Sequence, residues 1–336
     1  MIVSVGLPTC MEGMMYPIPF ATVDGVIELA RHAEALGYDS VWGNDHMTTQ
    51  RYVRQEYPTP PNYWEPLILY AYIAAETTRL RLGTGILVMP MRRDIVVVAK
   101  QIATLDHISK GRLSLGVGVG AYREEFEALA PKAKTHRGNM LEESIQALQL
   151  LFSERLATWN GPYYQFEDVE MYPKPLQNPI PLYVGGNNPN AVRRAAIYGN
   201  GWLPAAMPRH QLKAHIDSLQ RVATEHGRDG SQIDIAPQFI TYIGKTYEQA
   251  VARFHQSQIY KHLASLKKST LKDQANIKFE DTNLIGTAED LVEKIQKLSE
   301  VGVTHLCGTY FTADSILELQ DQMQVFAEEV IPKIGG

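Results

Sequence analysis

The segment from Arg81 to Phe126 constrains the fold of this chain more than any other, because it runs twice through the order of buried strand, glycine-marked loop and helix. Its two apolar runs, 80–88 and 113–119, are rich in Leu, Val and Ile and carry glycines near their ends. Such runs are typical of parallel strands that are covered on both faces. The segment therefore predicts a parallel α/β barrel, in which functional loops follow the carboxyl ends of the strands.

Eight strand-like runs occur along the chain, with helical patterns between them. We predict strands at residues 2–7, 40–42, 81–88, 113–117, 182–184, 201–203, 233–243 and 303–307. We predict helices at residues 23–36, 94–108, 139–152, 189–198, 209–226, 287–300 and 314–331, and one that begins near Trp64 with Pro66 in its first turn. A strand and a helix repeated eight times form a (β/α)8 TIM barrel, and we expect residues 1–336 to be a single domain.

Three stretches are longer than this repeat requires: 48–63, 156–168 and 247–283. The first is a proline-rich loop, and the second carries Asn160-Gly161 between aromatic residues, which predicts a β-hairpin. The third is polar and lysine-rich, and we interpret 247–283 as an insertion or lid. Because long loops in a compact domain are often functional, we expect all three to cover the C-terminal mouth of the barrel. Solvated surface elaboration is the alternative.

Composition argues against several classes of protein. Apolar residues make up 45% of the chain and charged residues 21%, and no apolar stretch is long enough to span a membrane. The net charge is -5 and the basic residues are dispersed, so nucleic-acid binding is not expected. Cys10 and Cys307 are too few for a disulfide scaffold, and the N-terminus lacks the pattern of a cleavable secretion signal. Both observations favour the cytoplasm.

Sequence motifs of metal enzymes and hydrolases are also absent. The chain has no HxH pair on a strand, no HExxH, no CxxC and no GxSxG, so we expect no metal site and no catalytic triad. Asp45 and Glu124 allow a glycosidase with two carboxylates as an alternative, although no sugar-stacking pattern singles them out.

The second and third predicted strands end in residues that can carry chemistry. The second ends in Trp42-Gly43-Asn44-Asp45-His46. Because a histidine at a strand end can act as acid, base or hydrogen-bond donor near neutral pH, His46 is the leading catalytic candidate. Asp45 is a second candidate, since its carboxylate could fix the histidine tautomer or cap the following turn. The third strand ends in Thr84-Gly85-Ile86, where the glycine predicts a bulge or a close approach of the backbone to a ligand.

The fourth and fifth predicted strands end in glycine clusters. Gly118-Val119-Gly120 lacks the third glycine of a dinucleotide fingerprint, and acidic residues follow at once, so a Rossmann fold is excluded. Gly185-Gly186-Asn187-Asn188 precedes Pro189 at the start of a predicted helix. Free N–H groups and the helix dipole favour an anion there, which predicts a phosphate cradle, with an ordinary tight turn as the alternative.

Six blocks of sequence together resemble the bacterial luciferase-like oxidoreductases. This superfamily of barrel enzymes uses reduced flavin mononucleotide (FMN) or the related deazaflavin coenzyme F420. The blocks are AEALGYDSVWGNDH (33–46), WEPL (64–67), TTRLRLGTGILVMPMR (77–92), AKQIATLDHISKGRLSLGVGVG (99–120), PKPLQNPIPLYVGG (173–186) and GTAEDLVEKI (286–295). They occur in the family's order over nearly the whole chain.

The resemblance implies a role for each cluster of candidate residues. Thr84-Gly85-Ile86 would form the bulge, often with a non-prolyl cis peptide, that supports the central flavin ring, and His46 would stand near the reactive ring. The cofactor's phosphate or tail would contact the residues of the two glycine clusters, which are Gly118, Val119, Gly120, Gly185, Gly186, Asn187 and Asn188. Trp42, Trp202 and Tyr310 would wall the substrate pocket, with barrel packing as the alternative.

The resemblance leaves the cofactor open. In the monooxygenase branch, a separate flavin reductase supplies reduced FMN, which activates molecular oxygen for a small organic substrate. In the other branch, coenzyme F420 passes a hydride and oxygen is not needed. A non-catalytic relative that only holds a flavin is a third alternative. We also expect a homodimer or homo-oligomer formed through helices that flank the mouth.

Overall fold

The computed structural model describes residues 1–130, 135–266 and 276–335. The strands in these ranges are β1 (Ile2–Leu7), β2 (Ser40–Gly43), β3 (Arg81–Thr84), β4 (Leu87–Val88), β5 (Leu113–Gly118), β6 (Ala157–Asn160), β7 (Gln165–Val169), β8 (Leu182–Gly185), β9 (Gly201–Leu203), β10 (Asp234–Ile235), β11 (Phe239–Ile243), β12 (Leu284–Gly286) and β13 (His305–Phe311). The helices are α1 (Val23–Ala35), α2 (Arg51–Glu56), α3 (Pro66–Glu76), α4 (Ile95–Ile108), α5 (Arg123–Leu129), α6 (Arg137–Ser153), α7 (Pro189–Tyr198), α8 (Arg209–Glu225), α9 (Tyr247–Gln256), α10 (Gln258–Leu266), α11 (Phe279–Thr282), α12 (Ala288–Glu300), α13 (Ile316–Glu329) and α14 (Ile331–Ile334). Short 3-10 turns cover Met89–Met91 and Gly230–Gln232.

The strands form a closed parallel barrel. Strands β1, β2, β3, β5, β8 and β9 lie side by side in that order, and β13 and β11 continue the sheet on the other side of β1. Residues 234–243 close the barrel, because β10 pairs with β9 whereas β11 pairs with β13. The predicted (β/α)8 barrel is confirmed.

Two of the eight predicted strands are interrupted, and the backbone gives the reason for each break. In the seventh position, Pro237 lies between β10 and β11, and proline has no N–H for a ladder hydrogen bond. In the third position, Gly85 and Ile86 separate β3 from β4, and the peptide bond between them is cis. The strand predicted at 81–88 is therefore two short strands, and the break lies at the mouth.

Most helices begin at capping residues that the sequence supplies. Asp94 accepts hydrogen bonds from the backbone of Val96 and Val97 at the start of α4. Asn188 accepts one from Ala191 at the start of α7. Each cap satisfies backbone N–H groups that have no partner within the first turn of its helix.

The longer stretches carry more structure than predicted. Residues 48–63 contain the helix α2, and β6 and β7 form the predicted antiparallel hairpin. The hairpin is attached to α6, because the buried Glu143 carboxylate accepts hydrogen bonds from Tyr163, Tyr164 and the Trp159 indole. Within 247–283, residues 267–275 lie outside the described part, and the rest forms α9, α10 and α11.

Helix α10 connects this last segment to the mouth. Its Gln258 amide donates to the carbonyl of Gly13 after β1 (2.9 Å), and its His262 hydrogen-bonds to Tyr52 on α2 (2.8 Å). The missed strand β12 follows the segment and pairs with β11. None of the helices in the described ranges combines the length and the apolar content needed to cross a bilayer.

Candidate active site

His46 follows β2 at the mouth and is held through one ring nitrogen. Its Nδ1 lies 3.1 and 3.2 Å from the two carboxylate oxygens of Glu125 on α5, and 3.1 Å from the Gln50 side-chain nitrogen. The Glu125 side chain is 1% exposed, whereas that of His46 is 12% exposed. All the hydrogen bonds of the His46 ring within the described residues are made by Nδ1.

Three tyrosines and a second histidine surround His46. The rings of Tyr63 and Tyr122 each lie 5.8 Å from its ring, and Tyr52 lies 6.3 Å from both Tyr122 and His262. Burial lowers the pKa of His262 to about 3, so this imidazole is neutral at physiological pH. The rings that surround His46 are thus aromatic and uncharged.

The Asp45 carboxylate pairs with Arg92, whereas the sequence suggested that it would pair with His46. Its carboxylate accepts hydrogen bonds from the Arg92 guanidinium (3.0 and 3.3 Å) and from the backbone of Val88 (2.8 Å). Arg92 also binds Glu65, the N-cap of α3 (2.7 Å). The expectation that Asp45 fixes the His46 tautomer is wrong, because Glu125 occupies that place. Asp45 instead anchors the backbone that follows the cis peptide.

Side chains from three strand ends hold the cis peptide between Gly85 and Ile86. The Asn44 amide donates to the carbonyl of Gly85 (3.0 Å), and the Gln238 amide approaches the same oxygen at 3.5 Å. The hydroxyl of Tyr310 in turn donates to the Asn44 side-chain oxygen (3.0 Å). Tyr310 is buried, so it supports this peptide from behind and does not wall the open pocket.

The Ile86 side chain forms a shelf at the mouth, and two glycines make room for it. A Cβ atom at Gly118 would overlap the Ile86 Cδ1 atom, and one at Gly185 would lie 2.5 Å from its Cγ2 atom. Ile86 itself is only half-buried. Gly118 and Gly185 were expected to contact the cofactor's phosphate or tail. Their missing side chains are instead explained by close packing against Ile86.

Thr84, the residue before the shelf, is fully buried and has no free hydroxyl. Its Oγ1 donates to the carbonyl of Gly116 (2.7 Å) and accepts from the Gly116 backbone N–H (2.9 Å). Thr84 therefore joins β3 to β5 and does not reach the mouth.

A cleft of about 1280 Å³ is lined by residues from the N-terminal ends of α5, α6 and α7. We call it the arginine cleft, because Arg93, Arg123, Arg137 and Arg194 line it. Val119, Asn188 and His136 also lie in its wall, so the N-termini of α6 and α7 both open into it. Helix N-termini and guanidinium groups both favour anions.

Two of these arginines are held in place by the protein. Arg137 donates to the carbonyl of Gly120 (2.9 Å), and its guanidinium lies 4.7 Å from the centre of the Phe126 ring. Arg194 is 6% exposed, and its Nε forms an ion pair with the Glu142 carboxylate at 3.3 Å. The cleft thus keeps cationic groups in fixed positions.

The other predicted tail-binding residues have structural contacts. Gly120 and Gly186 have φ angles of 75° and 127°, which favour glycine. The Asn187 side chain makes two hydrogen bonds with the backbone of Ala205 after β9. Its oxygen accepts from the N–H (2.8 Å), and its nitrogen donates to the carbonyl (3.3 Å). Of the two glycine clusters, Val119 and Asn188 are the residues that reach the arginine cleft.

Trp42 and Trp202 do not wall a pocket, so this prediction is wrong. Trp42 is 1% exposed and packs inside the barrel against Leu203, Ala236 and Cys307. Trp202 is fully buried with its ring edge toward His215 on α8. Its indole donates to the carbonyl of Gly186 (2.8 Å), which fixes the loop after β8.

Neither cysteine can serve as a nucleophile. Both are free and buried. Burial raises the pKa of Cys10 to about 12 and that of Cys307 well above its ordinary value, so both stay protonated thiols.

The barrel, the cis peptide at a strand end and the histidine at the mouth agree with a comparison to protein-family models. The model of the luciferase-like monooxygenases matches residues 1–305. The chain belongs to this family.

Relatives within the luciferase-like family use two kinds of cofactor. An F420-dependent glucose-6-phosphate dehydrogenase of Kineococcus radiotolerans is 31% identical over 210 residues, which are 62% of this chain and 60% of that protein. The match thus spans less than two thirds of that relative's length. An FMNH(2)-dependent dimethylsulfone monooxygenase of Pseudomonas fluorescens is 27% identical over 334 residues, which are 91% of this chain and 86% of that protein.

A solved structure gives the same fold. An F420-dependent secondary alcohol dehydrogenase in complex with an F420-acetone adduct superposes with a TM-score of 0.80 over 100% of this chain and 99% of that chain. The two sequences are 21% identical, so this likeness shows the fold alone.

This luciferase-like oxidoreductase has residues that fit a flavin-type cofactor. The half-buried Ile86 shelf offers an apolar surface to a flat ring, and the arginine cleft offers cations to a phosphate. Across residues 1–130, 135–266 and 276–335, no group of three or more His, Cys, Asp or Glu side chains could hold a metal ion. The relatives' cofactors are F420 or reduced FMN.

Sequence reasoning missed several residues of this site. Glu125 was passed over, although it lies in the acidic pair that directly follows the glycines after β5. Asn44 lies in the same WGNDH motif as His46 and Asp45, and its role depends on a contact with Gly85 that the motif does not show. Gln50 and Gln238 carry no sequence signal, because their roles depend on contacts with distant parts of the chain.

Proposed function

We propose that this chain transfers a hydride between coenzyme F420 and the carbon of an alcohol or carbonyl substrate, while His46 moves the proton at the substrate oxygen. The observation that carries the proposal is the pairing of His46 Nδ1 with the buried Glu125 carboxylate at 3.1 Å. F420, when bound, supplies or accepts the hydride.

The arrangement of His46 suits proton transfer. A carboxylate next to Nδ1 fixes the proton on that nitrogen, which leaves the Nε2 lone pair to accept a proton. The same carboxylate stabilises the imidazolium that forms when Nε2 is protonated. Removing a hydride from an alcohol carbon requires such a base at the oxygen, and the reverse reaction requires the corresponding acid.

The arginine cleft supports F420 over FMN. FMN carries one phosphate, whereas F420 continues past its phosphate into a tail with several carboxylates. Four arginines line the cleft. Arg123 pairs with Glu127 (3.0 Å) and Arg194 with Glu142 (3.3 Å), whereas Arg93 and Arg137 form no ion pair within the described residues. This excess of positive charge suits a longer polyanion.

A reduced-FMN monooxygenase is the second candidate. It is favoured by the dimethylsulfone monooxygenase, whose match extends over 91% of this chain. The shelf at Ile86 would support either ring. This candidate includes a separate flavin reductase as partner and consumption of oxygen. A non-catalytic flavin-binding relative is disfavoured, because the Glu125 carboxylate holds Nδ1 of the partly exposed His46.

We also propose a cytoplasmic homodimer formed through α3 and α4. Ile68 on α3 is 68% exposed and Val97 on the neighbouring α4 is 50% exposed, so a partner chain packed there would cover apolar side chains. Light scattering tests this point: Ile68→Glu should give a monomer where the unaltered chain is a dimer.

Titration of the cofactor-free protein with F420 and with FMN tests the function. We expect tighter binding of F420, an affinity that falls as salt is added, and anaerobic reduction of F420 in the presence of secondary alcohols. Oxygen consumption with reduced FMN, together with no binding of F420, would establish the second candidate. Tight binding without turnover of either cofactor would favour the non-catalytic relative.

A further inference from the structure

The aromatic side chains around His46 form what we call the mouth cluster: Tyr52, Tyr63, Tyr122 and His262. Two of its three phenol groups have protein partners. The Tyr63 hydroxyl donates to the Gln50 side-chain oxygen (2.7 Å), and the Tyr52 hydroxyl pairs with His262 Nδ1 (2.8 Å).

The third phenol differs. The Tyr122 hydroxyl is buried and has no hydrogen-bond partner. It is close enough to the Tyr52 hydroxyl for each to affect the other's pKa, but no hydrogen bond of acceptable geometry joins them. Buried hydroxyls almost always have a partner, so an open one beside a catalytic histidine indicates a ligand.

The groups that face Tyr122 keep it a donor. Burial raises the pKa of its phenol well above the ordinary value, with further contributions from Tyr52, Tyr63 and the Glu125 carboxylate. His262 is neutral at physiological pH, since burial lowers its pKa to about 3. The Tyr122 hydroxyl therefore stays protonated at physiological pH.

Resting on the proposed function, we propose that Tyr122 donates a hydrogen bond to the same substrate oxygen from which His46 takes the proton. The two residues are neighbours, with their ring centres 5.8 Å apart. The substrate class is then a carbonyl compound or its secondary alcohol, whose oxygen accepts one hydrogen bond while its proton is exchanged.

The chemistry balances without any further reactant. In alcohol oxidation the C–H bond breaks with its electron pair going to F420 as hydride, the O–H proton goes to His46 Nε2, and the C=O bond forms. Tyr122 keeps its proton and stabilises the negative charge that builds up on the oxygen. In the reverse direction it polarises the carbonyl.

Tyr122→Phe tests the proposal, with Tyr52→Phe as the matched control. Both remove one phenol oxygen from the mouth cluster, but only Tyr52 has a protein partner for it. We expect Tyr52→Phe to lower Tm, because His262 loses its partner, and Tyr122→Phe to leave Tm unchanged or raise it. A Tm loss in Tyr122→Phe equal to that of Tyr52→Phe would overturn the proposal.

The kinetic arm uses the F420-loaded protein and a series from 2-propanol to cyclohexanol. We expect Tyr122→Phe to lower kcat by about 10²-fold while the Kd for F420 stays unchanged. Wild-type kcat in this variant would overturn the proposal. If the unaltered protein turns over no alcohol or carbonyl compound, the proposed function fails, and the Tm comparison still decides whether the Tyr122 hydroxyl is open.

Discussion

The mouth and the floor of the barrel each contain a histidine paired with a carboxylate. At the mouth, His46 Nδ1 lies 3.1 Å from Glu125. At the floor, where β10 and β13 begin, His305 Nδ1 lies 3.0 Å from Asp234. The two pairs are alike in chemistry and in distance.

They differ at the second ring nitrogen. His305 Nε2 lies 2.6 Å from Ser4 Oγ, which is itself 2.5 Å from Ser40 Oγ, and all three residues are buried. His46 Nε2 has no partner in the described part of the chain. A histidine with both nitrogens bonded inside the protein is structural, whereas one with an open nitrogen at a strand end can act on a ligand.

The same contrast shows that the hydrogen-bonded group at the floor is not a catalytic triad. Ser4, His305 and Asp234 have the hydrogen-bond order of a hydrolytic triad. However, Ser4 is 0% exposed and His305 is 2% exposed, and the serine hydroxyl is shared with Ser40. No substrate can reach this group, so it ties the first, second and last strands to β10.

Replacing His46 should produce the largest effect on turnover. We expect His46→Gln to lower kcat by about 10²- to 10⁴-fold, because the proton acceptor is lost while an amide can still donate to Glu125. The Kd for the cofactor should not change. Steady-state kinetics and cofactor titration check this. An unchanged kcat would mean that His46, like His305, has only a structural role.

Replacing His305 should affect stability instead. We expect His305→Ala to lower the free energy of unfolding by about 3 kcal/mol, because the Asp234 carboxylate loses its buried partner. Urea unfolding measures this loss, and the folded fraction should keep the wild-type kcat. A catalytic defect as large as that of His46→Gln would contradict the structural role of the floor.

The fold was largely predictable because its signals are local. Apolar runs and helical spacing located the eight strand positions, and residues such as Pro237 explain a break within one of them. The helix α2 was missed, because the prolines of 48–63 favour a loop and its one buried residue, Val53, gives no periodic pattern.

The site was less predictable because it depends on contacts between distant residues. His46 and Glu125 are 79 positions apart, and only the closed barrel brings them together. Trp42 was misassigned since both faces of a barrel strand are buried, so alternation cannot tell an interior side chain from one at the mouth. The cis peptide followed from the family resemblance, not from the sequence pattern.

A smaller effect is expected when a methyl group is added at a closely packed glycine inside the barrel or at the mouth. A Cβ at Gly83 would overlap the Trp42 indole inside the barrel, and a Cβ at Gly118 would overlap the half-buried Ile86. We expect Gly83→Ala to cost about 3 kcal/mol, since the buried indole cannot move, and Gly118→Ala about 1 kcal/mol. Only Gly118→Ala should weaken cofactor binding, because it displaces the shelf. Equal cofactor affinity in both variants would remove Ile86 from the binding site.

The smallest effect concerns acid stability and involves the floor alone. Burial by itself raises the pKa of the Asp234 carboxyl, but hydrogen bonds and the charge of His305, together with Thr304 and Tyr183, outweigh it, so the pKa lies below its ordinary value. Such a group stabilises the fold above its unfolded pKa of about 3.9, and this contribution is lost as the pH falls through the lower, folded value.

We therefore expect the difference in unfolding free energy between the unaltered chain and Asp234→Asn to be largest above about pH 5 and to shrink below about pH 4. Urea unfolding at a series of pH values measures it. A difference that stays constant down to about pH 3 would mean that the Asp234 carboxylate draws no stability from its charge, and the floor pair would then be held by packing and neutral hydrogen bonds alone.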